Sequence, residues 1–406
     1  MARRLLMTCA CLALLGLSRA AFAGADAVAP VSDGAIAEAT KLATAATKGG
    51  VLAEELSVMP QIGKTDVVSR ITGRDSPNDT ATRWDVYGTD LGHMFRHKGS
   101  LYMVFGDTFG PQGLLGPRDW RSNVMARIAD PEPRHGLPIA AMITGPNGMA
   151  KELLSSLKIP GIEKTVIPTN GISVDGRMYL HYMSVRRWGA PGRWTVRYSG
   201  LAYSDDDGQN WAKPKAAIWP ADSGFEQVAF VRDGELVYSF GIPEGRAGGA
   251  RLRRVAPARM LDKQAYQYWD GAQWAPDIAA SAVLVPGPVG ELSVAWSAAH
   301  ERWLMMYLQE ELESVVLRTA PNLTGPWSDA QVVVKAADYP GLYAPFIVPD
   351  SEIDGDLYYT MSQWGPYNVS LMRTALDWGG AAVATASATA DPATSAAGNG
   401  KPARPE

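Results

Sequence analysis

The 406-residue chain has only two cysteines, Cys9 and Cys11, and both lie within its first 23 residues. This segment has the three parts of a secretory signal: a positive start (Arg3, Arg4), an apolar run (Leu5 to Leu17) and a small-x-small cleavage site (Ala21 to Ala23). Its removal would leave no cysteine, which excludes disulfides and thiol catalysis. We therefore expect an exported protein, either periplasmic or extracellular.

Other missing features exclude further classes. No later stretch is long and apolar enough to span a bilayer, so membrane insertion is not expected. The formal net charge is -4, whereas nucleic-acid binders usually carry a basic face. The five histidines show no HExxH motif or paired spacing, and phosphate-binding loops and G-x-S-x-G elbows are absent. We predict neither a metal nor a cofactor.

Composition divides the remaining chain into three parts. Residues 24–60 are rich in alanine with weak helical periodicity, and they are predicted to form a linker or peripheral helix. Residues 378–406 are rich in Ala, Thr, Ser, Pro and Gly, and we expect a disordered low-complexity tail. The folded body is then residues 61–377, and the 46% hydrophobic content of the chain is enough for a large core.

Within the body the pattern is strand, turn, strand, with almost no helical period. Five short runs rich in aromatic and apolar residues start near residues 101, 178, 236, 303 and 357. Most follow a turn signal such as Asp175-Gly176 or Asp354-Gly355, which is typical of a β-hairpin. Each interval can hold four short strands, which predicts an all-β fold and a five-bladed β-propeller. A β-sandwich is the main alternative.

The segment from Ser204 to Trp211 supports the propeller. It fits the pattern S-x-D-x-G-x-x-W, the Asp-box hairpin found in many propeller glycosidases. In that motif the Asp and Gly shape a tight turn and the Trp packs into the blade. We therefore assign Asp206 a structural role and no catalytic one.

A candidate innermost strand precedes each of the five runs, and in a propeller such strands line the central tunnel. Four of these segments carry a polar or acidic residue near an otherwise apolar start: Asp90, Asn170, Glu226 and Glu291. The fifth runs from Leu342 to Phe346 and includes Tyr343. A carboxylate beside apolar strand residues is unfavourable without a partner, which favours a functional interpretation.

A second carboxylate, Asp107, follows Asp90 across one predicted hairpin and comes directly after Gly106. Two convergent carboxyl groups are what glycoside hydrolysis requires, since one protonates the leaving oxygen and the other attacks or activates water. Crowding raises the pKa of one of them, so that a proton is available near neutral pH. The alternative, that Asp107 only caps a turn, stays open at this stage, as does the choice between retaining and inverting routes.

The segments Thr89-Asp-Leu-Gly92, Leu101 to Phe109 and Arg121-Ser-Asn123 resemble the family catalogued as domain of unknown function 4185. The likeness covers most of residues 65–377, and the pair DLG and FGDTF is its most specific part. The resemblance implies a five-bladed propeller related to furanosidases, in which some members are endo-D-arabinanases. It also implies that Asp90 and Asp107 are the acid pair.

The sequence thus predicts an exported glycoside hydrolase that cleaves internal arabinofuranosyl linkages of a polysaccharide. Asp90 is expected to be the nucleophile or general base, and Asp107 the acid or acid/base. A non-catalytic glycan-binding propeller is the alternative function. The residues predicted to bind substrate, by hydrogen bonds or by stacking on sugar rings, are Glu226, Glu291, Asn170, Arg121, Asn123, Trp364 and Tyr367.

Overall fold

The computed structural model describes residues 58–113 and 119–379. The predicted signal segment, all but the last three residues of the predicted extension, and the predicted tail from residue 380 onward lie outside the described residues. In the described ranges the prediction of an all-β chain is confirmed, because the only α-helix there is the five-residue α1 (Thr80–Trp84). None of the helices in these two ranges is long and apolar enough to cross a membrane.

The strands in chain order are β1 (Gln61–Arg70), β2 (Leu91–His97), β3 (Ser100–Phe105), β4 (Val124–Ile128), β5 (Ile139–Met142), β6 (Thr165–Val174), β7 (Arg177–Trp188), β8 (Trp194–Ser204), β9 (Ile218–Pro220), β10 (Gln227–Asp233), β11 (Leu236–Ile242), β12 (Arg251–Val255), β13 (Gln267–Trp269), β14 (Trp274–Ala275), β15 (Leu292–Ser297), β16 (Arg302–Gln309), β17 (Ser314–Ala320), β18 (Gln331–Lys335), β19 (Leu342–Ile353), β20 (Asp356–Gln363) and β21 (Asn368–Asp377). Short 3-10 helices lie at Pro133–His135, Lys215–Ala217, Pro257–Arg259, Lys263–Ala265, Ile278–Ala280 and Glu310–Leu312.

These strands form five antiparallel sheets in the described part of the chain. The sheet orders are β2-β3-β4-β5, β6-β7-β8-β9, β10-β11-β12-β13-β14, β15-β16-β17-β18 and β19-β20-β21-β1. The first strands of the sheets contact one another in cyclic order, from β2 through β6, β10, β15 and β19 back to β2. The early strand β1 completes the last sheet by pairing with β21, so the two ends of the body are joined by backbone hydrogen bonds.

The five aromatic runs predicted as strands lie in β3, β7, β11, β16 and β20, the second strand of each sheet. The predicted turns fit the geometry that tight hairpins require. Asp175 and Gly176 have φ angles of 50° and 78°, and Asp354 and Gly355 have 54° and 81°. Positive φ at both central residues matches the right-handed strand twist, and Asp and Gly adopt it with the least strain.

Three predicted innermost strands begin later than expected, so that Asp90, Glu226 and Glu291 lie just before β2, β10 and β15. At the first of them, the segment around Asp90 was expected to be a strand, but β2 starts only at Leu91. Leu91 and Gly92 have φ angles of 69° and 78°, which breaks a regular strand at this point. The residues before them instead make backbone contacts across the sheet end, since Thr89 N donates to Tyr367 O at 2.8 Å. This irregular entry places Asp90 at the end of the sheet.

The Asp-box segment forms the hairpin that its sequence predicts. The Asp206 carboxylate accepts hydrogen bonds from Ser204 Oγ and Asn210 N, each at 2.8 Å, and Trp211 Nε1 donates to Gly208 O at 2.9 Å. Gly208 has a φ of 86° and packs against Met125 of the neighbouring sheet. All of these contacts are local to the turn or to sheet packing, which agrees with the structural role assigned to Asp206.

Candidate active site

Asp90 and Asp107 lie at the same end of the hairpin formed by β2 and β3. Leu91 pairs with Phe105, so Asp90 lies opposite Gly106, and Gly106 N donates to Asp90 O at 3.2 Å. Asp107 is the next residue along. A side chain at Gly106 would collide with Asp90 Oδ1, so the missing Cβ creates the space that the carboxyl group occupies. The hairpin register thus brings the two carboxyl groups to one end of the first sheet.

The Asp90 carboxyl group is partly buried and has few donors. Tyr343 Oη donates to Asp90 Oδ2 at 2.9 Å, whereas Asp90 Oδ1 is buried without a hydrogen-bond partner in residues 58–113 and 119–379. Burial, and after it the nearby charge of Asp107, raises the pKa of Asp90 to about 7, in spite of the lowering effect of hydrogen bonds from Tyr343 and Tyr367. Asp90 is therefore able to hold a proton near neutral pH.

The Asp107 carboxyl group is better supplied with donors. Its side chain is 7% exposed, and Oδ1 accepts hydrogen bonds from Thr165 Oγ1 at 2.5 Å and from Trp120 Nε1 at 2.8 Å. Burial raises the pKa of Asp107 to about 6, although these two donors and the charges of Lys158 and Lys164 act to lower it. Donors aimed at one oxygen stabilise the ionised form. Asp107 is thus the more readily ionised member of the pair.

A cation lies behind Asp90. The Arg246 guanidinium is 5.4 Å from the centre of the Tyr343 ring, on the same tyrosine that donates to Asp90. Arg246 also forms an ion pair with Glu291 at 2.9 Å, and Glu291 is one of the charges that raise the pKa of Asp90. The predicted residue Glu291 therefore lies close to the pair, but its carboxylate is engaged by Arg246.

A row of aromatic rings extends from Asp107 to the surface. Trp120, which donates to Asp107, stacks on Phe109 with ring centres 6.3 Å apart. Phe109 contacts Tyr367 at 5.6 Å, and Tyr367 contacts Trp364 at 5.6 Å. Tyr367 is buried, whereas Trp364 is 61% exposed. Exposed rings of this kind offer flat apolar faces with a polar edge, which suits the apolar face of a sugar ring.

Four of the predicted substrate-binding residues have side chains that are buried or engaged by other protein groups. Arg121 donates to Ala150 O and Asp85 O, and Asn123 is fully buried with its amide bonded to the backbone of residues 153, 154 and 166. Asn170 is buried within β6 opposite His181. Glu226 is fully buried and accepts hydrogen bonds from Ser223 N and Oγ. Its charge is not among the main causes of the pKa of either Asp90 or Asp107.

Several residues at the site were not singled out from the sequence. Tyr343 lay in a predicted innermost strand, and its hydroxyl could have been noticed as the only polar group there. Trp120 comes from the connection between β3 and β4, Lys158 from the connection between β5 and β6, and Thr165 from the start of β6. No spacing pattern identifies them. The described ranges contain no group of three or more His, Cys, Asp or Glu side chains that could hold a metal ion.

Solved structures with a similar fold include a hydrolase and a galactanase. One is a putative hydrolase from Bacteroides ovatus ATCC 8483, with a TM-score of 0.50 and 11% identity over 73% of this chain and 88% of that one. Another is an exo-β-1,3-galactanase from Phanerochaete chrysosporium crystallised with β-1,3-galactotriose, with a TM-score of 0.50 and 10% identity over 79% and 66% of the two chains. Likeness at this identity concerns the fold alone, which is of the glycosidase-like propeller type.

The sequence comparison gives the family. The chain belongs to the family described as domain of unknown function (DUF4185), whose model matches residues 75–373. It is also similar to notoamide biosynthesis cluster protein J of Aspergillus sp. (strain MF297-2), with 33% identity over 73% of this chain and 84% of the relative. A second relative, protein J' of Aspergillus versicolor, is 33% identical over 73% and 85%. The predicted family is thus confirmed.

Proposed function

We propose that this protein is a glycoside hydrolase whose catalytic pair is Asp90 and Asp107. The observation that carries the proposal is the placement of both carboxyl groups at one end of a single hairpin, each desolvated and each with its own donors. Two such carboxyl groups, with pKa values of about 7 and about 6, are what acid catalysis and base or nucleophilic catalysis need near neutral pH.

The surroundings of the two side chains suggest a division of roles. Asp107 receives two hydrogen bonds on Oδ1 and faces two lysines, so it acts as the ionised nucleophile or general base. Asp90, with one unpartnered buried oxygen and the charge of Asp107 nearby, keeps the proton and acts as the general acid. This division reverses the one expected from the sequence, because the donors to Asp107 come from Trp120 and Thr165, which the chain brings in from outside the hairpin.

We extend the proposal to the substrate and propose internal arabinofuranosyl linkages of a D-arabinan-like polysaccharide. Support for this comes from the DLG and FGDTF segments, which carry both aspartates and the resemblance to endo-D-arabinanases. The exposed Trp364 and the ring contacts that connect it to Trp120 provide a surface along which a chain of sugars can lie on both sides of the cleaved bond.

The proposal includes the architecture and the location. We propose that the five sheets are the blades of a closed five-bladed propeller, which the cyclic contacts of β2, β6, β10, β15 and β19 support. The pairing of β1 with β21 would close the ring. Export to the periplasm or outside the cell rests on the signal pattern in the first 23 residues.

The experiment compares wild type with D90N and D107N on arabinogalactan and on a panel of other furanose-containing glycans. We expect wild type to release oligosaccharides, and each substitution to lower the rate by about 10²-fold or more, because each removes one of the two required carboxyl groups. Asp175→Asn is the matched control, since Asp175 is exposed in a turn at the other end of β6 and its positive φ also suits Asn.

Two results would contradict the proposal. One is a glycan that wild type cleaves and that D90N and D107N cleave at an undiminished rate. The other is wild-type protein that binds these glycans in affinity electrophoresis but cleaves none of them, which would support the non-catalytic glycan-binding propeller instead.

A further inference from the structure

The connection between β5 and β6 carries a lysine, Lys158, to the side of the catalytic pair. Lys158 Nζ donates to Ser122 Oγ at 2.8 Å and to Trp120 O at 3.3 Å, and it forms an ion pair with Glu152 at 2.7 Å. Its backbone φ is 58°, a left-handed conformation that is uncommon for residues other than glycine. The ammonium group is thus fixed by three partners in one place.

The position of this ammonium relative to Trp120 is specific. Lys158 Nζ lies 4.1 Å from the centre of the Trp120 ring, and Nε1 of the same indole donates to Asp107 Oδ1 at 2.8 Å. A cation over an indole face is attracted by the π electrons, and it draws density away from the ring. The N–H at the ring edge therefore becomes a stronger donor toward the carboxylate.

We propose that Lys158 is a positioning residue that acts through Trp120 to keep Asp107 ionised, and so decides which member of the pair holds the proton. This inference rests on the proposed function for its catalytic meaning, but the ionisation of Asp107 can be measured without any substrate. Lys158 itself does not need to touch the sugar.

The other groups that face Asp107 act in known directions. Lys164, just before the start of β6, and Thr165, at its start, favour ionisation of Asp107, whereas burial opposes it. Asp90, from the hairpin, is the like charge of the pair when it is ionised. Tyr367, in the connection between β20 and β21, is neutral, and its pKa is raised well above its usual value by burial and then by Asp90, Tyr343 and Asp107. Of the two lysines that lower the pKa of Asp107, Lys158 is the one that contacts Trp120, a hydrogen-bond donor to Asp107.

Glu152 opposes the electrostatic effect of Lys158. Its Oε2 accepts from Ser122 N and pairs with Lys158, each at 2.7 Å, and the Lys158 and Glu152 side chains are 29% and 21% exposed. The carboxylate partly cancels the field of the ammonium at Trp120. Removing the lysine charge should therefore raise the pKa of Asp107, and removing the glutamate charge should lower it.

The test is a carbon-13 NMR titration of the Asp107 carboxyl group in K158M, E152Q and wild type, with the resonance assigned by its loss in D107N. A unit charge one indole ring away from the carboxylate, screened by partial exposure, is worth on the order of one pKa unit. We expect a rise of about that size in K158M and a smaller fall in E152Q. Lys151→Met is the matched control, because Lys151 lies in the same connection, donates to Gln209 O and is not among the main causes of the Asp107 pKa.

A second readout is the acidic limb of the pH profile of kcat/KM, which should move to higher pH in K158M and to lower pH in E152Q. A purely structural role of this cluster would shift the Asp107 pKa in the same direction in both variants, or not at all, and that outcome overturns the inference. Opposite shifts in a protein that cleaves no glycan would uphold the role of Lys158 and refute the proposed hydrolase. If K158M does not fold, an unchanged Asp107 pKa in E152Q still counts against the inference.

Discussion

Replacing Asp90 by Asn should stabilise the protein in a pH-dependent way while it lowers the proposed activity. The pKa of Asp90 is raised from 3.8 to about 7, mainly by burial. A group whose pKa is raised on folding contributes full stability below its unfolded value and loses that contribution as the pH rises toward its folded value. The folded wild type is therefore penalised increasingly between about pH 4 and about pH 7, and by a constant amount at higher pH.

The size of the effect follows from the shift. A displacement of about three pKa units is worth at most ~4 kcal/mol, and partial exposure of the Asp90 side chain reduces this to ~2 kcal/mol. For a body of this length, such a change corresponds to a difference in Tm of about 3 °C. Asn can still accept the hydrogen bond from Tyr343, which is 2.9 Å from Oδ2 in the wild type. The new amide N–H group changes the stability by an amount that does not depend on pH. The diagnostic quantity is therefore the change with pH of the Tm difference between D90N and wild type.

The assay is thermal unfolding followed by circular dichroism at a series of pH values for wild type, D90N and D175N. The Tm of D90N relative to wild type should rise from about pH 4 to about pH 7 and then stay level, and the Tm of the exposed control should run parallel to that of wild type. A D90N difference that does not change with pH, or that falls as the pH rises, would show that Asp90 is not desolvated and would refute the reasoning.

The remaining predictions concern the same site and its scaffold. The pH profile of kcat/KM should be bell-shaped with its maximum between about pH 6 and pH 7, since Asp107 must be ionised and Asp90 protonated. A plateau that extends through alkaline pH would contradict this. Gly106→Ala should lower kcat by about 10²-fold with an unchanged circular dichroism spectrum, because the new Cβ would displace Asp90 Oδ1, and a fully active variant would remove the geometric basis of the pair. Trp364→Ala should raise KM about tenfold on oligosaccharides with little change in kcat, and an unaltered KM would mean that sugars do not stack there. Asp206→Ala should lower the free energy of unfolding by about 1–2 kcal/mol in denaturant titrations and leave kcat unchanged, because it removes the carboxylate that caps the Asp-box turn. A loss of kcat with unchanged stability would argue against a purely structural role.

The secondary structure was predictable because its causes are local. Two-residue turns such as Asp175-Gly176 need positive φ angles that few residues adopt easily, and the runs after them, such as Met178 to Met183, have the size and apolarity of buried strands. The start of β2 was placed too early, since Leu91 has a left-handed conformation that its residue type does not favour. The residues before it bond to distant segments, as Thr89 N does to Tyr367 O.

The sequence by itself determined the all-β class, the family, and the two aspartates as the residues to examine, because turn chemistry, strand composition and the DLG and FGDTF segments are all written in short stretches of chain. Only the tertiary structure decided the environment of each carboxyl group. Tyr343, Trp120 and Thr165 reach the pair from separate elements, with Tyr343 253 positions away from Asp90. Desolvation and hydrogen bonding depend on what the fold packs around a group, so the pKa values that separate the two aspartates are properties of the folded protein.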